Sequence, residues 1–190
     1  MQHVKNLKIT IRRSDWWWNE RNEPLAINPK RGKSETNFDV VAMRKDMAEE
    51  KMGKGGDVEW NQRAWGVAFK ELRALKGLEI EFETSEEKEG ELGAIVEWAR
   101  GWRFPLKEGR VLSTEGEKPV WSKWRGKVYH WSQVCPFCIQ GGEENDKCRE
   151  RKEMIERQEG PKLVLACLKW VVVKKLEADR DSALLTKSLR

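Results

Sequence analysis

Apolar and polar positions alternate from Val4 to Ile11, with Leu7, Ile9 and Ile11 separated by Lys8, Thr10 and Arg12. A period of two predicts a half-buried strand. A strand so near the start needs a partner from later in the chain; the alternative is that the chain begins inside a larger fold. Phe38 to Met52 has helical composition with a narrow apolar face of Val41, Met43 and Met47, and predicts a peripheral helix ended by Gly53, Gly55 and Gly56. Trp60 to Leu75 is a stronger helical pattern, because Ala64, Trp65, Ala68, Phe69 and Leu72 recur at the three-four spacing of a buried stripe. Lys76 and Gly77 break it, and Leu78 to Phe82 alternates again as a strand. Thr84 as N-cap and Glu87 as its reciprocal acceptor then predict a capping box. The helix after it buries Leu92, Ile95, Val96, Ala99 and Trp102 and stops at Phe104 and Pro105.

Downstream the periods shorten. Val111–Ser113, Val120–Trp124 and Lys127–Trp131 read as short strands, the last two as a hairpin that delivers His130 to the cysteines after it. Arg149 to Gln158 reads as a short charged helix ended by Gly160 and Pro161. Leu163 to Val173 is the most apolar run and is rich in β-branched residues, so it predicts a central strand, with Cys167 as a small buried hydrophobe. The expected class is therefore α/β or α+β: a mixed sheet with packed helices in one domain over 1–175, with a knuckle-like insertion at 127–148 and a partly frayed tail at 176–190.

Composition narrows the chemistry. The chain has 190 residues, enough for a real core, and 36 % are charged with both signs interleaved for a formal net charge of +5. Nucleic-acid binding would need that charge gathered on one face, and the sequence shows nothing longer than short clusters such as Arg12 with Arg13 and Lys174 with Lys175. No apolar run reaches the roughly 18 residues of a membrane span and the start has no apolar signal core, so a cytoplasmic or nuclear protein without a membrane partner is expected.

Three of the four cysteines and one of the two histidines fall between Lys127 and Cys148. Cys135 and Cys138 form a Cys-x-x-Cys knuckle. With Cys148 and His130 they supply the donor set of a closed tetrahedral zinc site, and a reducing compartment favours ligation over a disulfide. Unligated thiols and a redox pair are the alternatives. The redox reading rests on VCPFC (Val134–Cys138), which resembles the glutaredoxin active-site box and would make Cys135 the attacking thiolate. Against it, Ile139 to Gly142 would interrupt the helix that the box opens, and no Thr-Val-Pro follows. No Walker loop, dinucleotide fingerprint or Ser/His/Asp arrangement stands out, so no enzyme activity is assigned.

Eleven tryptophans are many for this length, and most read as large core fillers. The exception is the run Trp16, Trp17, Trp18, since three consecutive rings cannot all face one core. One reading is a plug over the end of the first strand. The functional reading is a partner-binding loop of Trp16, Trp17 and Trp18 with Arg12, Arg13 and Arg21.

The segments RRSDWWWNERNEPLAINP (12–29), LRALKGLEIEFET (72–84), GELGAIVEWARGWRFPL (90–106) and HWSQVCPFC (130–138) together resemble the C-terminal part of a group of uncharacterised fungal proteins. Some of that group are similar to F-box or leucine-rich-repeat-like proteins. The resemblance spans nearly the whole chain and implies no established activity. KNLKITI and LKGLEIEF resemble the strand of a leucine-rich repeat, which implies an irregular repeat fragment, although no regular period of 20 to 29 residues joins them. The expected function is a non-enzymatic protein-interaction or scaffold domain stapled by zinc. A nucleic-acid-associated protein using the Trp/Arg loop and basic tail, and a thiol oxidoreductase at Cys135, are the alternatives.

Overall fold

A computed structural model describes residues 3–16, 23–32, 39–52, 60–130 and 146–174. Six strands form one mixed sheet: β1 (Asn6–Ile11), β2 (Gly77–Ser85), β3 (Phe104–Pro105), β4 (Arg110–Ser113), β5 (Val120–Arg125) and β6 (Lys162–Lys174). The order is β1-β2-β6-β4-β3, and β5 pairs with β6 off that path. Helices α1 (Val40–Lys51), α2 (Glu89–Ala99) and α3 (Asp146–Glu156) complete the regular elements among the described residues. The sheet with packed helices is the α+β architecture expected.

The alternation read along β1 and β2 sets their pairing. Leu7 lies beside Leu78, Ile9 beside Ile80 and Ile11 beside Phe82, in parallel register. β2 then runs antiparallel to β6, with Ile80 opposite Leu168 and Phe82 opposite Ala166, so one face of both strands is apolar and buried. Leu92, Ile95, Val96 and Ala99 of α2 close over that face. At the centre Trp102 stacks on Trp170 and meets Trp65, Phe82, Trp98 and Phe104 edge-on. Among the described residues β1 and β2 pair in parallel and the other pairings are antiparallel.

The helix expected over Phe38–Met52 forms as α1, capped by Asp39, whose Oδ1 accepts from the N–H groups of Val41 (2.8 Å) and Ala42 (3.0 Å). Its apolar face is narrower still than expected, since Met43 is its one buried residue and Val41 is exposed. Ion pairing compensates. Asp46 accepts from Asn28 Nδ2 (2.7 Å) and takes a bidentate pair from Arg31 (2.8 and 2.7 Å), tying α1 to residues 25–31. Burial pushes the Asp46 carboxyl up, but the bonds from Arg31 and Asn28 and the charges of Arg31 and Lys30 outweigh it and hold its pKa below the ordinary value. The tether is therefore in place above the ordinary carboxylate range and weakens as pH falls through the depressed pKa.

Three local expectations are overturned. The helix expected over Trp60–Leu75 is a 3-10 helix confined to Trp65–Glu71. Gly66 donates to the Pro29 carbonyl at 3.1 Å, and a Cβ there would meet the Trp60 ring and that same carbonyl, so close approach to the 23–32 segment governs this turn. The capping box at Thr84 and Glu87 does not form, because Thr84 is still in β2 opposite Val164 and is buried. A 3-10 turn, Glu86–Lys88, leads into α2 instead. The hairpin of 120–124 with 127–131 is also absent: β5 pairs with Lys162–Cys167, and residues 126–130 are not a strand. β6 is long enough for β4 and β5 to lie end to end along one of its edges, β4 on Val171–Lys174 and β5 on its first half, with residues 114–119 looping out between them.

Candidate interaction surface

Every residue of β5 is exposed. Its sequence, VWSKWR, has no consistent apolar face, so neither side of the strand can be buried whole. Trp121, opposite Ala166, shares the helix side of the sheet with Lys123 and Arg125, whereas Val120, Ser122 and Trp124 face the other way. Lys123 folds back onto Glu89 (2.6 Å) and Glu86 (3.3 Å) at the start of α2, which fixes β5 to the helix layer. Trp121 keeps 40 % of its surface, Trp124 37 % and Val120 66 %. The inner edge of β5 bonds β6, and no other described strand pairs with its outer edge. Reading these tryptophans as core fillers is therefore wrong; the signal was the odd-even offset of Trp121 and Trp124, which puts them on opposite faces.

Past Arg125 the chain turns at Gly126, whose N–H donates to the Pro161 carbonyl at 2.8 Å. A cleft of about 500 Å³ opens there, between the end of β1, residues 125–129 and α3. Tyr129 organises it: its hydroxyl accepts from Arg13 Nη1 at 2.6 Å, and the Arg151 guanidinium lies 5.4 Å from the ring centre. Arg125, Arg157 and Lys162 add positive charge, but Glu86, Glu87, Glu150 and Glu159 line the same walls. Glu159 is shared between Arg125 (3.3 Å) and Arg157 (3.9 Å). Signs alternate here, which is not the one-signed stripe that tracks a phosphate backbone.

The residues expected to bind partners separate in the structure. Trp16 is buried, and its indole N–H donates to the Glu83 carbonyl at 2.6 Å, so it is a plug beside the end of β1 and not a contact surface. Arg13 lines the cleft and Arg12 is exposed, its backbone N–H donating to Asp15 at 2.8 Å. Trp17, Trp18 and Arg21 lie outside the described residues. Of the expected metal ligands, Cys135 and Cys138 also lie outside them, His130 is exposed at the end of the 126–130 segment, and Cys148 is buried in the first turn of α3.

Cys167 is not the core residue expected. It is half-buried on the polar face of the sheet, its sulfur within 4.8 Å of carboxylate oxygens of Glu79 and Glu81. Lys8 already bridges those two carboxylates at 2.9 and 2.6 Å. Burial, then the charge of Glu79, pushes the thiol from 9.0 up to about 11. The folded state thus favours the thiol, a preference that stabilises below pH 9 and is lost as pH rises toward about 11. A protonated sulfur is a poor nucleophile and a poor ligand. Alkylation of Cys167 by iodoacetamide, followed on its own peptide by mass spectrometry, should accelerate only as pH approaches about 11; an ordinary thiol profile would show that the neighbouring carboxylates do not act on it.

No protein-family model matches the chain, and no curated protein or solved structure is significantly similar to it. No helix among the described residues is long and apolar enough to cross a membrane.

Proposed function

We propose that this chain is a protein-interaction domain that captures an extended polypeptide strand on the outer edge of β5. The observation that carries the reading is a strand with all six residues exposed, paired through one edge among the described residues, with a tryptophan on each face. Exposed edges of this kind are ordinarily blunted by charge, proline or brevity. Here the two charges do not guard the edge, because Lys123 is drawn to Glu86 and Glu89 and Arg125 to Glu159. An added strand gains main-chain hydrogen bonds from β5, and Trp121 and Trp124 supply the large amphipathic contacts that dominate binding energy.

The same reading keeps His130, Cys135, Cys138 and Cys148 as ligands of a structural zinc that fastens the corner beside β5. Its support is the contact of Tyr129 with Arg151, which brings the residue before His130 close to the turn of α3 that carries Cys148. Zinc would supply folding energy there, not chemistry.

The test is selection of linear peptides from a displayed library on the full chain. The double variant Trp121→Ser, Trp124→Ser should bind the selected peptides at least about tenfold more weakly, given that a tryptophan hot spot is worth about 2 kcal/mol or more. Trp121 and Trp124 keep 40 % and 37 % of their surface, so the double variant also loses stability, and binding is compared at a temperature where both chains are folded. Metal analysis of the same preparation should return zinc in proportion to protein. Peptides that bind the variant as well as the parent would overturn the edge reading, and metal-free protein with all thiols titratable would remove the staple.

A further inference from the structure

We infer that the strand captured by β5 is β5 of a second copy of this chain, joining the two sheets antiparallel about a two-fold axis through Ser122; this rests on β5 being the interaction edge. The exposed edge of β5 is complementary to itself. A two-fold perpendicular to the sheet keeps both helix layers on the same side, so facing positions must share a face in both copies. Centred on Ser122, the pairing sets Ser122 against the partner's Ser122 and Val120 against the partner's Trp124 on one face. On the helix side it sets Trp121 against the partner's Lys123. Each pair is favourable: an aliphatic side chain on an indole, a hydroxyl on a hydroxyl, and the aliphatic stem of Lys123 on an indole while its ammonium stays on Glu86 and Glu89.

The adjacent registers are worse. Centring on Lys123 sets the two lysines opposite each other and places Val120 against Gly126, past the end of β5, where it has no side chain to cover it. Centring on Trp121 brings Pro119, which has no N–H to donate, into the ladder and sets Val120 against Ser122. Only the Ser122 register pairs Val120 to Trp124 entirely among themselves. It also places the most exposed large hydrophobic residue of β5, Val120 at 66 %, under the partner's Trp124.

Analytical ultracentrifugation of the full chain over a wide concentration range, with cysteine cross-linking, tests this. The mass should double as concentration rises. Ser122→Cys should form an interchain disulfide under mild oxidation above the background of the unsubstituted chain, since facing residues of an antiparallel pair lie within disulfide reach. Lys123→Cys, which faces the partner's Trp121, should not. Trp124→Arg, a partly exposed position, should leave a folded monomer. A chain that stays monomeric throughout, or a dimer that is insensitive to Trp124→Arg and cross-links no better through Ser122→Cys than through Lys123→Cys, overturns the inference. If in either case selected peptides still depend on Trp121 and Trp124, the edge reading stands and only the second copy is wrong; if they do not, both fall.

Discussion

Trp102→Ala is expected to lower stability by about 3–5 kcal/mol, the cost of deleting a large buried aromatic side chain. Trp102 is fully buried. Its ring lies 5.3 Å from Trp98, 6.0 Å from Phe104, 6.1 Å from Phe82, 6.2 Å from Trp65 and 6.4 Å from Trp170. The cavity would therefore open between α2, β2, β6 and the 3-10 helix at Trp65, where four elements would have to move together to fill it. The Trp102 carbonyl also accepts from the Trp170 indole at 3.1 Å, which fixes how the two rings stack. A second substitution sharpens the test. The Trp102 indole N–H is buried and meets no acceptor among the described residues, so Trp102→Phe removes a donor as well as ring volume and should cost much less than the alanine. Guanidinium unfolding followed by far-UV circular dichroism gives both values, and an alanine variant within about 1 kcal/mol of the parent would mean that this aromatic cluster is not the centre of the core.

Gly160→Ala is the second change expected to be severe. Gly160 is buried, and a Cβ there would fall on the Gly126 carbonyl, with Gly126 C at 2.6 Å and Lys127 C at 3.0 Å. All of these atoms are backbone, so no rotamer change relieves the overlap; one chain segment must move. The move would break the Gly126 to Pro161 hydrogen bond, release the end of β5 from the start of β6, and open the floor of the cleft. The cost should lie at or above the upper end of the usual overpacking range of about 1–3 kcal/mol. Hydrogen exchange should accelerate across Val120 to Arg125 more than in β2. Gly93→Ala is the control: Gly93 lies within α2 with nothing within 4 Å of its added Cβ, and there alanine should stabilise by about 0.5–1 kcal/mol. Equal effects at the two glycines would show that the approach at Gly160 is not what holds β5 in place.

How much was legible in the chain varies by element, for a common reason. The period of two from Leu78 to Phe82 places the right side chains in the core, and that from Leu7 to Ile11 places them half-buried against it, because one covered face is enough to specify each strand. The three-four spacing of Leu92, Ile95, Val96 and Ala99 does the same for α2. Trp65, Ala68, Phe69 and Leu72 carry an equally good stripe and yet form a 3-10 helix, since spacing of three suits either helix and Gly66 must reach the Pro29 carbonyl. Of the tryptophan triplet, Trp16 alone lies among the described residues. Its fate turned on one acceptor, the Glu83 carbonyl, which β2 supplies from far along the chain.

Local periodicity, read from the chain by itself, placed β1, β2, β4, β5 and the central run Leu163 to Val173, located α1 and α2, and gave a mixed class, although it also marked 127–131 as a strand and missed β3. It did so because burying one face of an element depends on residues a few positions apart. Tertiary structure alone decided that Thr84 stays in a strand, that Cys167 faces carboxylates, and that β5 pairs with β6 rather than with 127–131. Those outcomes depend on strand length and on close backbone approaches between distant segments: β6 outruns β4, and Gly126 and Gly160 allow β5 to take the remaining edge. The same geometry leaves Trp121 and Trp124 on the surface, where the candidate interface lies.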